Sequence, residues 1–159
     1  MIYLYVRLHG LSGRGHPALS VHCTQDVKKL RLHLKFLTCN YMTNKRLSLD
    51  QPSISPACHP ILDSTEHVLV TSVATSSVRS RLLPELQNTV SKVQPMSGIL
   101  GINASAEVMT QYLLDCSSFN LPDSVRIPVH SPGISEIFCV ARYWCFGITS
   151  ERSRLLKKT

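Results

Sequence analysis

Residues 131–158 read S-P-G-I-S-E-I-F-C-V-A-R-Y-W-C-F-G-I-T-S-E-R-S-R-L-L-K-K, and this stretch sets the fold class. Ser131-Pro132 is a helix-start signature, because proline cannot donate to a preceding turn but has the φ of a first helical position. From there Ile134, Phe138, Ala141, Trp144, Cys145 and Ile148 recur at intervals of three and four, which places them along one side of a helix. Arg152, Arg154, Lys157 and Lys158 gather at its end, where positive charge is favoured by the helix dipole. The spacing therefore predicts a long C-terminal helix running to about Lys157, with one apolar face to bury.

Working back along the chain, the same period recurs. Ala104–Cys116 is predicted as a helix with Val108, Met109, Tyr112 and Leu113 inward. Between the two, 117–131 is extended and punctuated by Pro122 and Pro128, and 125–129 would make a short edge strand at best. Val78, Leu82, Leu86, Val90 and Val93 give one apolar face to residues 75–93. Pro84 falls inside that run, so a break or kink is expected there, with Pro84 opening a second helix. Asp63-Ser-Thr-Glu66 has the form of a capping box, which predicts a short helix carrying His67.

Residues 26–42 fit two patterns. Leu30, Leu32, Leu34 and Phe36 alternate with polar residues as in a strand, while Leu30, Leu34, Leu37 and Tyr41 follow helical spacing. Leucine is the better helix former and Asp26 a suitable cap, so the reading is helix, with Lys28, Lys29, Arg31 and Lys35 largely outward. Before it, residues 1–25 carry Gly10, Gly13, Gly15 and Pro17 without periodicity and are expected to form a flexible, poorly ordered leader. The fold class is thus mainly α: a small irregular helical domain over 26–159 with a long C-terminal helix.

Composition is compatible with one domain. The chain has 159 residues, 43% hydrophobic and 17% charged, enough apolar material for a core. Its net charge of +7 is uneven: residues 1–46 hold eight Lys/Arg against Asp26 alone, and the acidic residues fall mostly between 47 and 141. Basic ends around a mildly acidic centre suit an anionic partner, RNA or DNA, although solvated surface charge gives the same pattern. The six cysteines form no C-x-x-C pair. The apolar start before Arg7 is too short for a signal peptide, and no run approaches the length of a membrane span. The expectation is a reducing, intracellular setting, cytoplasmic or nuclear, with free thiols and no membrane partner.

Residues 55–72, S-P-A-C-H-P-I-L-D-S-T-E-H-V-L-V-T-S, read as a zinc-binding unit that has lost half of its ligands. Cys58 and His67 stand where the first and third ligands of a C-x-x-C…H-x-x-x-x-C knuckle would stand, but the second and fourth positions hold Ile61 and Ser72. Isoleucine has no donor atom and a serine hydroxyl is a hard, weak ligand, whereas a closed site takes four N/S ligands. No zinc or other cofactor is expected from this set, unless cysteines brought near by folding complete it. Catalytic patterns are equally thin. No Asp-Asp, D-x-D, E-x-x-H or G-x-S-x-G occurs, so no metal-dependent phosphoryl transfer, serine elbow or small-molecule chemistry is indicated.

Three stretches together resemble the extreme C-terminal region of reverse transcriptase polyproteins from non-LTR retrotransposons of the jockey-like kind. They are L-K-F-L-T-C-N-Y-M-T-N-K-R-L-S at 34–48, the knuckle at 55–72 with its E-H-x-L core, and T-Q-Y-L-L-D-C-S-S-F-N-L-P through R-Y-W-C-F…S-E-R-S-R-L-L-K-K at 110–158. The resemblance covers roughly residues 28–159. It implies a CCHC zinc site that assists nucleic-acid binding after a polymerase domain, of which only Cys58 and His67 are carried over here. On this resemblance the chain is expected to be a non-catalytic remnant with weak nucleic-acid binding through Lys28, Lys29, Arg31, Lys35, Lys45 and Arg46. The rival expectation is a protein-interaction module that packs the apolar face of 134–148 on a partner helix.

Overall fold

The computed structural model describes residues 24–37, 64–94 and 104–157. Every regular element among them is helical. In chain order these are α1 (Thr24–Leu37), a π-helical turn (His67–Thr71) followed by a 3-10 turn (Val73–Thr75), α2 (Ser76–Val93), α3 (Ala106–Leu114) and α4 (Ile134–Leu156). The leader expected over 1–25 lies outside the described residues apart from Thr24 and Gln25, which open α1.

Helix α4 is the centre of the packing. Its 23 residues span about 35 Å at 1.5 Å per residue. The expected stripe is buried in full: Ile134, Phe138, Ala141, Trp144, Cys145 and Ile148 are all in the core. Ile137 and Val140 widen it. Helices α1 and α2 both lie against this helix, and α3 and the π turn close one side. A large apolar side chain taken out of water contributes roughly 1.5–3 kcal/mol, so this stripe is the main source of the domain's cohesion. It is covered by the chain's own helices. The interaction reading built on an open 134–148 face therefore loses its surface.

Gly133 caps α4 with φ +80°, a left-handed conformation that glycine adopts without a Cβ penalty. A Cβ there would also sit 2.8 Å from Val93 Cγ2, so the close approach of the end of α2 depends on it. Gly147 has a second role, since its missing side chain lets Val78 and Leu82 of α2 settle against the middle of α4.

Helix α2 departs from expectation at Pro84, which lies inside one uninterrupted helix rather than opening a second. The reason is local and tertiary. Pro84 is exposed, and so is Ser80, whose carbonyl loses its N–H donor four residues on. Val78 before the proline and Leu86 and Val90 after it are buried in the same core, so packing carries the helix through.

Helix α1 has the type predicted but a different inner face. Lys29, His33, Phe36 and Leu37 are buried, whereas Leu30 and Leu34 are only half-buried. Two polar residues have taken core positions because each finds a specific partner. The Nζ of Lys29 lies 3.6 Å from the ring centroid of Tyr143, a cation–π contact, and Nε2 of His33 donates to the Leu113 carbonyl at 3.0 Å. The outward placement expected of Lys29 is thus corrected.

Helix α3 is capped by Ser105, whose Oγ accepts from Val108 N at 3.2 Å. Met109, Tyr112, Leu113 and Leu114 are buried and Val108 packs against them, close to the expected inner face. The connection to α4 is built from turns. Asp115 Oδ1 accepts from both the backbone N–H and the hydroxyl of Ser117. Val125 N and Arg126 N both turn back to the Pro122 carbonyl, and 125–129 makes no strand; Ile127 N donates to the Cys116 carbonyl at 2.8 Å.

Candidate nucleic-acid interface

Of the four knuckle positions, His67 and Ser72 are described; Cys58 and Ile61 lie outside the described residues, as do Lys45 and Arg46. The short helix expected after residue 63 begins at Thr65, and its cap is Ser64: the hydroxyl accepts from His67 N and the carbonyl from Val68 N. The chain then widens into the π turn, closed by Ser72 N donating to the His67 carbonyl at 2.8 Å.

The widened turn buries His67, whose Nδ1 shares a hydrogen bond with Thr71 Oγ1 at 3.1 Å. Ser72 is buried as well. Its carbonyl accepts from Arg79 Nη1 at 2.5 Å and from Thr75 Oγ1, which fixes the junction with α2. The imidazole and the serine therefore act as parts of a helix junction. Among the described residues no three His, Cys, Asp or Glu side chains come together as a metal-holding group. With isoleucine and serine at two ligand positions, the donor set does not fit a closed zinc site.

The basic residues of α1 divide by face. Lys28, Arg31 and Lys35 are exposed and recur at three- and four-residue intervals, so they form one outward stripe. Lys29 belongs to the opposite side and reaches α4 through Tyr143.

A second basic feature was not apparent from the sequence. Between α2 and α4 lies an open groove of about 490 Å³. Its floor is Val78, Leu82 and Gly147, and its rims carry Arg81, Tyr143, Phe146 and Arg154. Tyr143 and Phe146 are 42% and 41% exposed, unusual for aromatic residues on the helix that organises the core. Arg154 is held by Glu151 one turn back, with Nε to Oε2 at 2.8 Å, while Arg81 stands exposed on the α2 rim. The signal in the sequence was the i, i+3 pair Tyr143 and Phe146 just off the apolar stripe. That α2 would set an arginine across from them depends on the pairing of helices, which periodicity does not specify.

Compared with known proteins, the chain matches no family model, no curated protein and no solved structure. No helix among the described residues is long and apolar enough to cross a membrane.

Proposed function

We propose that this chain is a non-catalytic helical module, a remnant of the C-terminal region of a non-LTR retrotransposon reverse transcriptase, whose retained activity is weak, salt-sensitive binding of RNA or DNA. The observation that carries the reading is the outward stripe Lys28, Arg31 and Lys35 on α1. Three cations on one helical face can neutralise successive phosphates and release their condensed counterions, which yields sequence-independent affinity that falls with salt. The net charge of +7 supports the same partner.

A filter-binding titration of the purified chain at low salt, against single- and double-stranded RNA and DNA, tests this. Micromolar binding that disappears as salt is raised is the expected result. No retention of any of the four nucleic acids at low salt would remove the proposal.

A further inference from the structure

We propose that the groove between α2 and α4 is a stacking cleft for the bases of single-stranded nucleic acid, with Phe146 as its open platform and Arg81 as its phosphate contact. This rests on the nucleic-acid reading above and adds to it a site, a strand preference and a mode of contact. Three observations bear on it. First, the two large aromatic residues that α4 leaves exposed, Tyr143 and Phe146, are one turn apart and line the same groove. Second, the two are not equivalent. Lys29 Nζ sits 3.6 Å over the Tyr143 ring and holds it in place with one face covered, which leaves Phe146 as the platform for a planar ligand. Third, the cations beside the aromatics are guanidinium groups. Arg154 is anchored by Glu151, and Arg81 faces the groove from the other helix.

Aromatic faces interleaved with arginine on a basic protein form the pattern by which single strands are bound without sequence readout. Each base has a π-face to stack and each phosphate a charge to neutralise. The bases of a duplex are already stacked on one another and present only edges, so a cleft of this kind favours single strands. The groove volume of about 490 Å³ is within the range of roughly 300–1,000 Å³ typical of ligand sites. A partner helix is a poorer fit, because the apolar floor of Val78, Leu82 and Gly147 is bordered by the charges of Arg81, Glu151 and Arg154 and the hydroxyls of Ser77 and Ser150.

Fluorescence anisotropy with labelled oligo(dT), and with a duplex of equal length, tests the inference on the full chain and on Phe146→Ala, Phe146→Trp and Arg81→Gln. Phe146 is well exposed, so its removal should leave the fold intact, which circular dichroism checks. Loss of one base–aromatic stack corresponds to about a tenfold weakening for the single strand. Phe146→Ala should show that loss on oligo(dT), with duplex affinity within about twofold and with Phe146→Trp restoring the wild-type value. Arg81→Gln should weaken oligo(dT) binding and reduce its salt dependence. If the wild type binds oligo(dT) and Phe146→Ala binds it equally well, the cleft is wrong and the α1 reading stands. If the wild type binds neither ligand, both fall. A dimer in sedimentation that Phe146→Ala dissociates would overturn the cleft in favour of a contact between copies.

Discussion

The indole Nε1 of Trp144 donates to the backbone carbonyl of Leu69 at 3.0 Å, a buried bond between residues 75 apart in the chain. It ties the π turn to the middle of α4. Leu69 is at the irregular end of a short helix, where a carbonyl lacks a helical donor, and a tryptophan is the one apolar side chain that can both fill the space and supply an N–H. The contact explains how the turn that carries His67 is held against the core.

Replacing Trp144 with phenylalanine keeps an aromatic ring but removes that donor. A buried carbonyl left unpaired costs about 1–3 kcal/mol, and the smaller ring adds a cavity. Urea unfolding followed by far-UV circular dichroism should show Trp144→Phe less stable by about 2–4 kcal/mol. A loss below about 0.5 kcal/mol would mean that the Leu69 carbonyl is satisfied in some other way.

His33 predicts a pH dependence. It is fully buried between α1, α3 and α4, with its ring centroid 6.4 Å from that of Phe138, and its pKa is lowered from 6.5 to about 4. Burial is the main cause. The hydrogen bond to the Leu113 carbonyl opposes it, and the nearby positive charge of Arg142 adds to it. Because that bond uses the Nε2 proton, the native ring is the neutral Nε2–H tautomer. The folded pKa lies below the unfolded one, so the unfolded chain takes up the proton first. The stabilisation is complete above about pH 6.5 and is lost as pH falls towards 4, at about 1.4 kcal/mol per unit. His33→Gln, which retains a donor, should flatten the stability curve over that window relative to wild type. Parallel curves would show that His33 is not the responsible group.

The α-helical class, the α4 stripe and the inner face of α3 were legible because each is an uninterrupted apolar period, and burial of such a period has few alternatives. The inner face of α1 was not, because it is partly polar. Lys29 and His33 are buried only because Tyr143 and Leu113, each some eighty or more positions away, receive them. Arg142 and Arg152 are likewise buried among the apolar residues of α4, where a hydropathy pattern reads them as surface. At the knuckle, the Ser64 hydroxyl accepts from His67 N, while Asp63 lies outside the described residues. Serine and aspartate are alike as caps, so the sequence pattern alone did not single out Ser64. The groove depends on which face of α2 meets Gly147, a tertiary fact.

Pro84 gives a prediction of opposite sign. The proline interrupts the hydrogen bonding of a continuous, solvent-facing helical segment, so its replacement restores a donor to the Ser80 carbonyl. Part of the gain is offset because proline also restricts the unfolded chain, by about 0.4–1 kcal/mol. Pro84→Ala should raise stability by about 1–2 kcal/mol net of that offset. A destabilised variant would show that the proline shapes α2 in a way the packing requires.

Of the three described thiols, Cys139 is half-buried whereas Cys116 and Cys145 are fully buried. Cys145 is fully buried, and that burial pushes its pKa up to about 12; Cys116 is pushed up by burial and then by the adjacent Asp115 carboxylate. Burial keeps both protonated near neutral pH, so neither is an available nucleophile in the folded chain. A brief iodoacetamide pulse at pH 8, followed by peptide mass mapping, should leave both unmodified in the native protein and label both in denaturant. Native labelling at a rate similar to that of the unfolded chain would show that the core around α3 and α4 opens readily.

The α1 stripe carries the charge argument, and salt dependence tests it most directly. For single strands, the logarithm of affinity falls with the logarithm of salt with a slope of about −0.7 per phosphate neutralised. If Lys28, Arg31 and Lys35 each neutralise one phosphate, replacing all three with glutamine should make that slope shallower by about 2, as well as weakening binding at low salt. Substituting Lys29 is not equivalent. Its ammonium is buried over Tyr143, so Lys29→Gln should lower stability more than it changes the slope. The comparison separates a charge that meets phosphate from one that holds two helices together. An unchanged slope in the triple variant, with affinity retained, would move the binding surface away from α1.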